Sequence, residues 1–311
     1  YRSYNKLVPD KFNTLKEIKL NEKYWIKAKK SIKLSIYDED IEYDIVIVGA
    51  GPAGCMLSRV LCDSSKFQNK NILLIEKGSY DILENYNEKY RNLLNWSDAM
   101  NDPMNSNTVL SKNNKTIWLG QGLGGGTLHF GMQYIDQSGL YQDIPKIKNY
   151  LEKVNQLTKT ERFDYSEKDD KLWVDLYDLF SKDSSVNFYN NKIYSRDISK
   201  LERFIAFDLL KDKDVKYRTN TNVDRIIFEN NKATEIILDT EEKIKFKKLI
   251  LTSGAIENVK ILNNSSSPIL DKLDIGKTIF DHAGVNFYYL PQNNQNFQNF
   301  ISIGHLQIRS K

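Results

Sequence analysis

The sequence predicts an α/β protein whose first ordered unit is a strand, a helix and a second strand lying parallel to the first. "YDIVIVGAG" (43–51) is a short apolar, β-branched run ending in glycine, the pattern of a buried strand. "PAGCMLSRVLCDSS" (52–65) places apolar residues at helical spacing, and "NILLIEKG" (71–78) is a second buried strand. Far downstream, residues 215–253 read as successive short strands with turns at Asn230-Asn231 and Glu241-Glu242, a β-meander.

The remaining elements follow in chain order. Residues 1–40 are polar, aromatic and lysine-rich without a period and read as an N-terminal extension. Residues 79–119 are mixed and turn-rich, broken at Asp102-Pro103 and Asn113-Asn114. From Pro145 to about Asp212 the pattern is mainly helical, as in "KIKNYLEKVNQL" and "KLWVDLYDLFS". "GAIENVKILNNS" reads as a helix after the meander, and a strand-like region begins near Val285. No internal repeat or low-complexity tract interrupts this order.

Composition sets bounds on function. A chain of 311 residues, 40% hydrophobic and 28% charged, has the make-up of a globular protein of one large or two ordinary domains. Its net charge of +4 comes from interspersed basic and acidic side chains, which argues against a nucleic-acid partner. "KIKFKK" (243–248) fits a strand with one solvated face better than a phosphate-binding patch. Cys55 and Cys62 lie about two helical turns apart, too far for a disulfide, and read as core residues with no ligand spacing for a metal. No apolar run approaches the roughly 18 residues of a membrane span. The chain opens on Tyr1 rather than methionine, which leaves a removed signal peptide open and the compartment unassigned.

Gly49, Gly51 and Gly54 form G-x-G-x-x-G between the first strand and the helix, and Glu76 ends the next strand. The chemistry needs these residues at this spacing. Gly49 permits the tight turn, Gly51 lets the backbone approach a pyrophosphate, and Gly54 lets helix and strand pack closely. The helix's free N–H groups and positive end then face the phosphates. A carboxylate at Glu76 suits two ribose hydroxyls and repels a 2′-phosphate, so FAD or NAD is favoured over NADP. The unit is Rossmann-like.

Further motifs narrow the choice. "DIVIVGAGPAGCMLSRVL…NILLIEKG", "GLGGGTLHFGMQY", "LILTSGAIENVKIL" and "DIGKTIFDHAG" follow one another over roughly residues 41–290. In this order they resemble the FAD-binding elements of the glucose–methanol–choline (GMC) oxidoreductases. The resemblance implies a Rossmann-like FAD-binding domain, a parallel sheet with helices and a β-meander, plus part of a smaller α+β substrate domain. The FAD-binding domain would comprise 41–144 and 212–285, and 145–211 with 286–311 would form the partial substrate or cap domain. Position by position, the family pattern assigns Gly49, Gly51, Gly54 and Glu76 to the ADP half. It runs Gly124, Gly125, Gly126 and Thr127 beneath the pyrophosphate and flavin, and turns the backbone of Val223 to the adenine. Ser253, Gly254 and Ala255 would close the pyrophosphate side. Gly276, Asp281 and His282 resemble the element near the flavin before the chain enters the substrate domain. Read singly, Ser253-Gly254 also fits a strand-end turn and Asp281-His282 a helix cap.

Glycines let a backbone lie flat against a rigid ring system, and "GGGTLH" (124–129) carries a histidine straight out of such a stretch. Its spacing is similar to that in the subgroup resembling choline oxidase and pyranose oxidase. The resemblance implies that His129 is bonded through a ring nitrogen to the flavin 8α-methyl; a histidine packed against the ring, or in the core, is the alternative. Phe130 departs from the Asn or Trp usual in the family.

The family's activity implies hydride transfer from an alcohol or sugar hydroxyl to flavin N5, with an unassigned electron acceptor. The base would belong to a C-terminal His–His or His–Asn segment, expected beyond Lys311, so a missing C-terminal half or a protein partner is implied. No catalytic base is assigned: His305 lies on a strand-like run, and His282 follows the cofactor-side motif. Two further readings stand beside this one, a GMC-derived scaffold that keeps the fold without turnover and an NAD-dependent dehydrogenase. The second leaves "GLGGGTLH" and "TSGAIEN" without a purpose.

Overall fold

The computed structural model describes residues 41–78, 106–110, 114, 116–130, 133–134, 143–159, 161–162, 186–188, 192–193, 195–197, 202–279 and 306–308. The extension over 1–40, the helical pattern at 171–181, and Asp281, His282 and His305 lie outside the described residues.

Strand β1 (Glu42–Val48) leads through a glycine turn into α1 (Pro52–Asp63) and back into β2 (Ile72–Ile75), the unit expected from the sequence. A hairpin of β3 (Ser106–Leu110) and β4 (Thr116–Gly120) precedes the glycine-rich stretch, which forms a short 3₁₀ turn over Gly125–Leu128. Then come β5 (Gln133–Tyr134), α2 (Ile147–Thr158), β6 (Glu161–Arg162), β7 (Val186–Phe188), β8 (Lys192–Ile193), β9 (Ser195–Asp197) and β10 (Glu202–Arg203). A 3₁₀ segment, Ala206–Leu210, runs into β11 (Lys216–Arg218). The meander follows as β12 (Val223–Glu229), β13 (Lys232–Leu238) and β14 (Lys243–Leu251), and α3 (Gly254–Asn264) comes after it. The late strand β15 (Leu306–Ile308) pairs with β7.

The central sheet has six strands in the order β11-β2-β1-β14-β13-β12. β11, β2, β1 and β14 run parallel, and the meander turns back antiparallel at the β14 edge. Asn230 and Asn231, with φ of 49° and 64°, make the β12–β13 turn expected at that position, because Asn tolerates the left-handed region. In β14 the lysines at 243, 245, 247 and 248 point outward while Ile244 and Phe246 are buried, the one-sided strand read from "KIKFKK".

Both sheet faces are covered. Ile45 and Ile47 face α1, where they pack with Cys55, Leu61 and the Phe204–Leu210 segment. Val46 and Val48 face the other way and join Val223, Ile236, Phe246 and Ile261 of α3. This alternation follows from the two-residue period of a strand buried on both sides. Cys55 and Cys62 are free, as expected, and Cys55 is fully buried.

Candidate functional site

Gly49, at φ +100°, turns the chain where β1 ends, and its amide donates to the Ile75 carbonyl at 2.7 Å. A Cβ here would lie 2.6 Å from the Ser253 Cα, so the β1 end sits hard against the β14–α3 link. A Cβ on Gly54 would come within 2.0 Å of the Gly49 carbonyl oxygen, the close helix–strand approach that its place in the motif demands. Gly51 differs, since a Cβ there would meet nothing within 4 Å. α1 starts with Pro52 and has neither a side-chain cap nor an acidic residue in its first turn. Its leading N–H groups and positive end are therefore left for an anion.

Glu76 holds this turn in place. Its buried carboxylate accepts from the amide of Ala50 at 2.9 Å through Oε2. Through Oε1 it accepts from Gly78 at 2.8 Å and Gly122 at 3.1 Å. The side chain chosen from the sequence for ribose hydroxyls is thus also a tie between the first glycine turn and the start of the second.

The two turns meet directly. Gly124 donates its amide to the Ala50 carbonyl at 2.8 Å, and a Cβ on Gly125 (φ +52°) would lie 2.8 Å from the Gly51 Cα. Gly126 is exposed, and a Cβ there would meet nothing within 4 Å. Gly124 and Thr127 point away from the open space: Gly124 abuts Ile205, and Thr127 Oγ1 donates to the Gly124 carbonyl at 2.7 Å. His129 closes the turn, its amide donating to the Gly126 carbonyl at 3.1 Å, and its ring Nε2 is buried.

A third wall comes from the β14–α3 link. Thr252 Oγ1 donates to the Gly49 carbonyl at 2.8 Å and Ser253 Oγ to the Val48 carbonyl at 3.0 Å. Asn258 Oδ1 accepts from the Ser253 amide at 3.0 Å, which fixes the first turn of α3. Lys77 and Glu257 face each other at 3.2 Å, tying the end of β2 to α3. Burial alone would push the Glu257 carboxyl up, but the hydrogen bond from Lys260 and the charge of Lys77 hold it below its usual range.

These walls enclose one cleft of about 210 Å³. Gly49, Gly51, Glu76, Gly125, Gly126, Val223, Ser253, Gly254 and Ala255 all line it. Gly124, Thr127 and His129 stand behind or beyond this lining, and Gly54 is buried in the packing beneath it. Thr252, Lys77 and Glu257 also line the cleft, and sequence reading did not single them out. A Ser or Thr at a strand end carries no periodic signal, and the Lys77–Glu257 pair spans distant segments. Among the described residues no group of three His, Cys, Asp or Glu could hold a metal ion. No histidine lines the described cleft.

The donor set fits a dinucleotide. Bare backbone at Gly51 and Gly126 leaves room for a ligand to touch main chain, and an uncapped helix end beside it suits phosphate. The volume is below the roughly 300–1,000 Å³ of drug-sized pockets, so the described walls close around only part of such a ligand.

No protein-family model matches the chain, and no curated protein matches its sequence. Solved structures do. The pyridoxine 4-oxidase from Mesorbium loti aligns over 71% of this chain and 51% of its own, with a TM-score of 0.51 and 16% identity. A variant of the Aspergillus oryzae RIB40 formate oxidase, made to study FAD modification, aligns over 73% of this chain and 48% of its own, with a TM-score of 0.50 and 14% identity. The chain spans about half the length of these two structures. No described helix is long and apolar enough to cross a membrane. What the chain shares with the two oxidases is its fold, the Rossmann-like α/β arrangement that its GMC-like motifs imply.

Proposed function

We propose that the chain is the FAD-binding part of a GMC-type oxidoreductase that oxidises an alcohol or sugar hydroxyl. One observation carries the reading: two glycine turns far apart in sequence meet on a single cleft and leave bare backbone at Gly51 and Gly126. The GMC-like order of the motifs and the fold shared with two oxidases support it.

In this proposal the amides of the first α1 turn hold the pyrophosphate, with Glu76 and the Val223 backbone at the adenosine end. Gly125 and Gly126 lie against the ring system, and Ser253 to Ala255 form the third wall. Bound FAD supplies the hydride acceptor that no amino-acid side chain provides. The protein's part is to orient that group and exclude water around it. His129, leaving the same turn, would carry the bond to the 8α-methyl. Asp281 and His282 remain candidates near the flavin, and the base that takes the hydroxyl proton belongs to the C-terminal segment implied by the family pattern. The domain division carries over into the proposal, with 41–144 and 212–285 as the FAD-binding domain and 145–211 with 286–311 as the partial substrate or cap domain, whose Phe204–Leu210 segment packs against α1.

Acid denaturation followed by a gel tests both levels of the proposal. Flavin fluorescence kept by the band, and lost in His129→Ala, supports the covalent form. Yellow colour released to the supernatant keeps FAD and removes the bond, whereas a colourless protein that takes up no FAD overturns the reading. Anaerobic bleaching by candidate alcohols then tests turnover in the full-length protein.

A further inference from the structure

Arg203 is the largest fully buried side chain of the described residues, with 0% exposure. Removing a guanidinium from water costs heavily unless hydrogen bonds hold it. One of those bonds is in view: Nη1 donates to the Leu128 carbonyl at 2.8 Å. Leu128 is the last residue of the Gly125–Leu128 turn, where a helix leaves carbonyls without partners of its own, so Arg203 caps this turn from behind.

Arg203 is not alone there. Two residues on, the Ile205 side chain fills the space at Gly124, where a Cβ would lie 2.6 Å from Cγ2. Next, the Ala206 amide donates to Thr127 Oγ1 at 2.9 Å. Three neighbouring residues thus grip three positions of one turn: its start at Gly124, its middle at Thr127 and its end at Leu128. A turn this rich in glycine has little side-chain packing to fix its shape. The grip supplies it from the face opposite the cleft.

We infer that Arg203 is a positioning residue. With Ile205 and Ala206 it forms a brace that fixes the Gly124–Leu128 turn and the direction in which the chain leaves it toward His129. The brace keeps Gly125 seated against Gly51 and the bare face of Gly126 open to the cleft beside it. Its consequence for ligand binding rests on the FAD reading; its mechanical part stands on the contacts alone.

Hydrogen exchange in the ligand-free full chain separates the two. In Arg203→Met, the amides of residues 125–130 are expected to exchange roughly tenfold faster or more, while those of β1 and β14 keep their protection. Arg203→Lys keeps a charged donor and is expected to restore part of that protection. Thr127→Val removes the second strut with little change of volume and serves if Arg203→Met does not fold. Equal acceleration across the sheet, or unchanged exchange at 125–130 in the variant that folds, overturns the inference. FAD titration of the same proteins is read separately. Weaker binding in Arg203→Met, rescued in part by Arg203→Lys, extends the brace to the cofactor. A wild-type chain that binds no FAD but shows the localised exchange removes the FAD reading and leaves the brace standing.

Discussion

Gly124 donates its amide to the carbonyl oxygen of Ala50 at 2.8 Å, so the tip of the first glycine turn and the start of the second are joined by one main-chain hydrogen bond. Neither residue offers a side chain to that contact. Backbone shape brings the two turns together, and that makes the arrangement sensitive to single atoms.

The three glycines of the fingerprint should therefore respond differently to alanine. At Gly54 the added Cβ would meet the Gly49 carbonyl oxygen at 2.0 Å, and the expected loss is about 1–3 kcal/mol or more of stability. At Gly49 the positive φ adds backbone strain to the clash with Ser253. Gly51→Ala meets nothing within 4 Å and should leave stability unchanged. Urea denaturation of the three variants checks the order.

Glu76→Ala strips the acceptor from three buried amides, those of Ala50, Gly78 and Gly122. An expected loss of about 3 kcal/mol or more follows from leaving buried donors unsatisfied. Glu76→Gln, which retains one acceptor oxygen, should lose less. If Glu76→Ala is as stable as wild type in the absence of any ligand, the tie between the turns has no energetic weight.

Glu257, hydrogen-bonded by Lys260 and paired with Lys77, sets a pH dependence at the cleft. Glu257 has its folded pKa lowered from 4.5, so its contribution to stability is complete above that unfolded value. It is lost as pH falls below 4.5 through the folded value, where the carboxyl takes up its proton. Acid unfolding of Glu257→Gln should lack this component, and the difference from wild type should vanish at the acid end.

The thiols should be slow to react. Burial pushes the Cys55 thiol well up, and Glu76 and Asp208 add to the effect. Cys62 is raised by its burial and by Asp63. A thiol-specific reagent at pH 8 should leave Cys55 unmodified until the protein unfolds, with Cys62 reacting first. Rapid modification of both residues in the native protein would contradict the core seen around α1.

Local signals in the sequence reveal a good deal of this. β1, α1 and β2 were legible because strand, glycines and helix follow without a gap, and the meander because Asn230-Asn231 turns it. The β3–β4 hairpin was not separated within 79–119, since "SNTVL" and "TIWLG" are short and polar-flanked. "FIAFDLL" (204–210) is as apolar as a helix, but only the fold shows it wedged between α1 and the glycine turn. The same limit hid the second role of Glu76 and the capping role of Arg203. Their partners are backbone atoms, and a main-chain amide or carbonyl has no letter in a sequence.

Fluorescence titration of the ligand-free protein with FAD bears on the shared cleft with the fewest intermediate steps, when Gly51→Val and Gly126→Val are run beside wild type. Both substitutions point into open space, so their folds should match wild type by circular dichroism. Saturable binding by wild type, weakened roughly tenfold or more by each variant, is the expected result. No saturable binding by wild type, or undiminished binding by either folded variant, would mean that the two turns do not cradle one molecule.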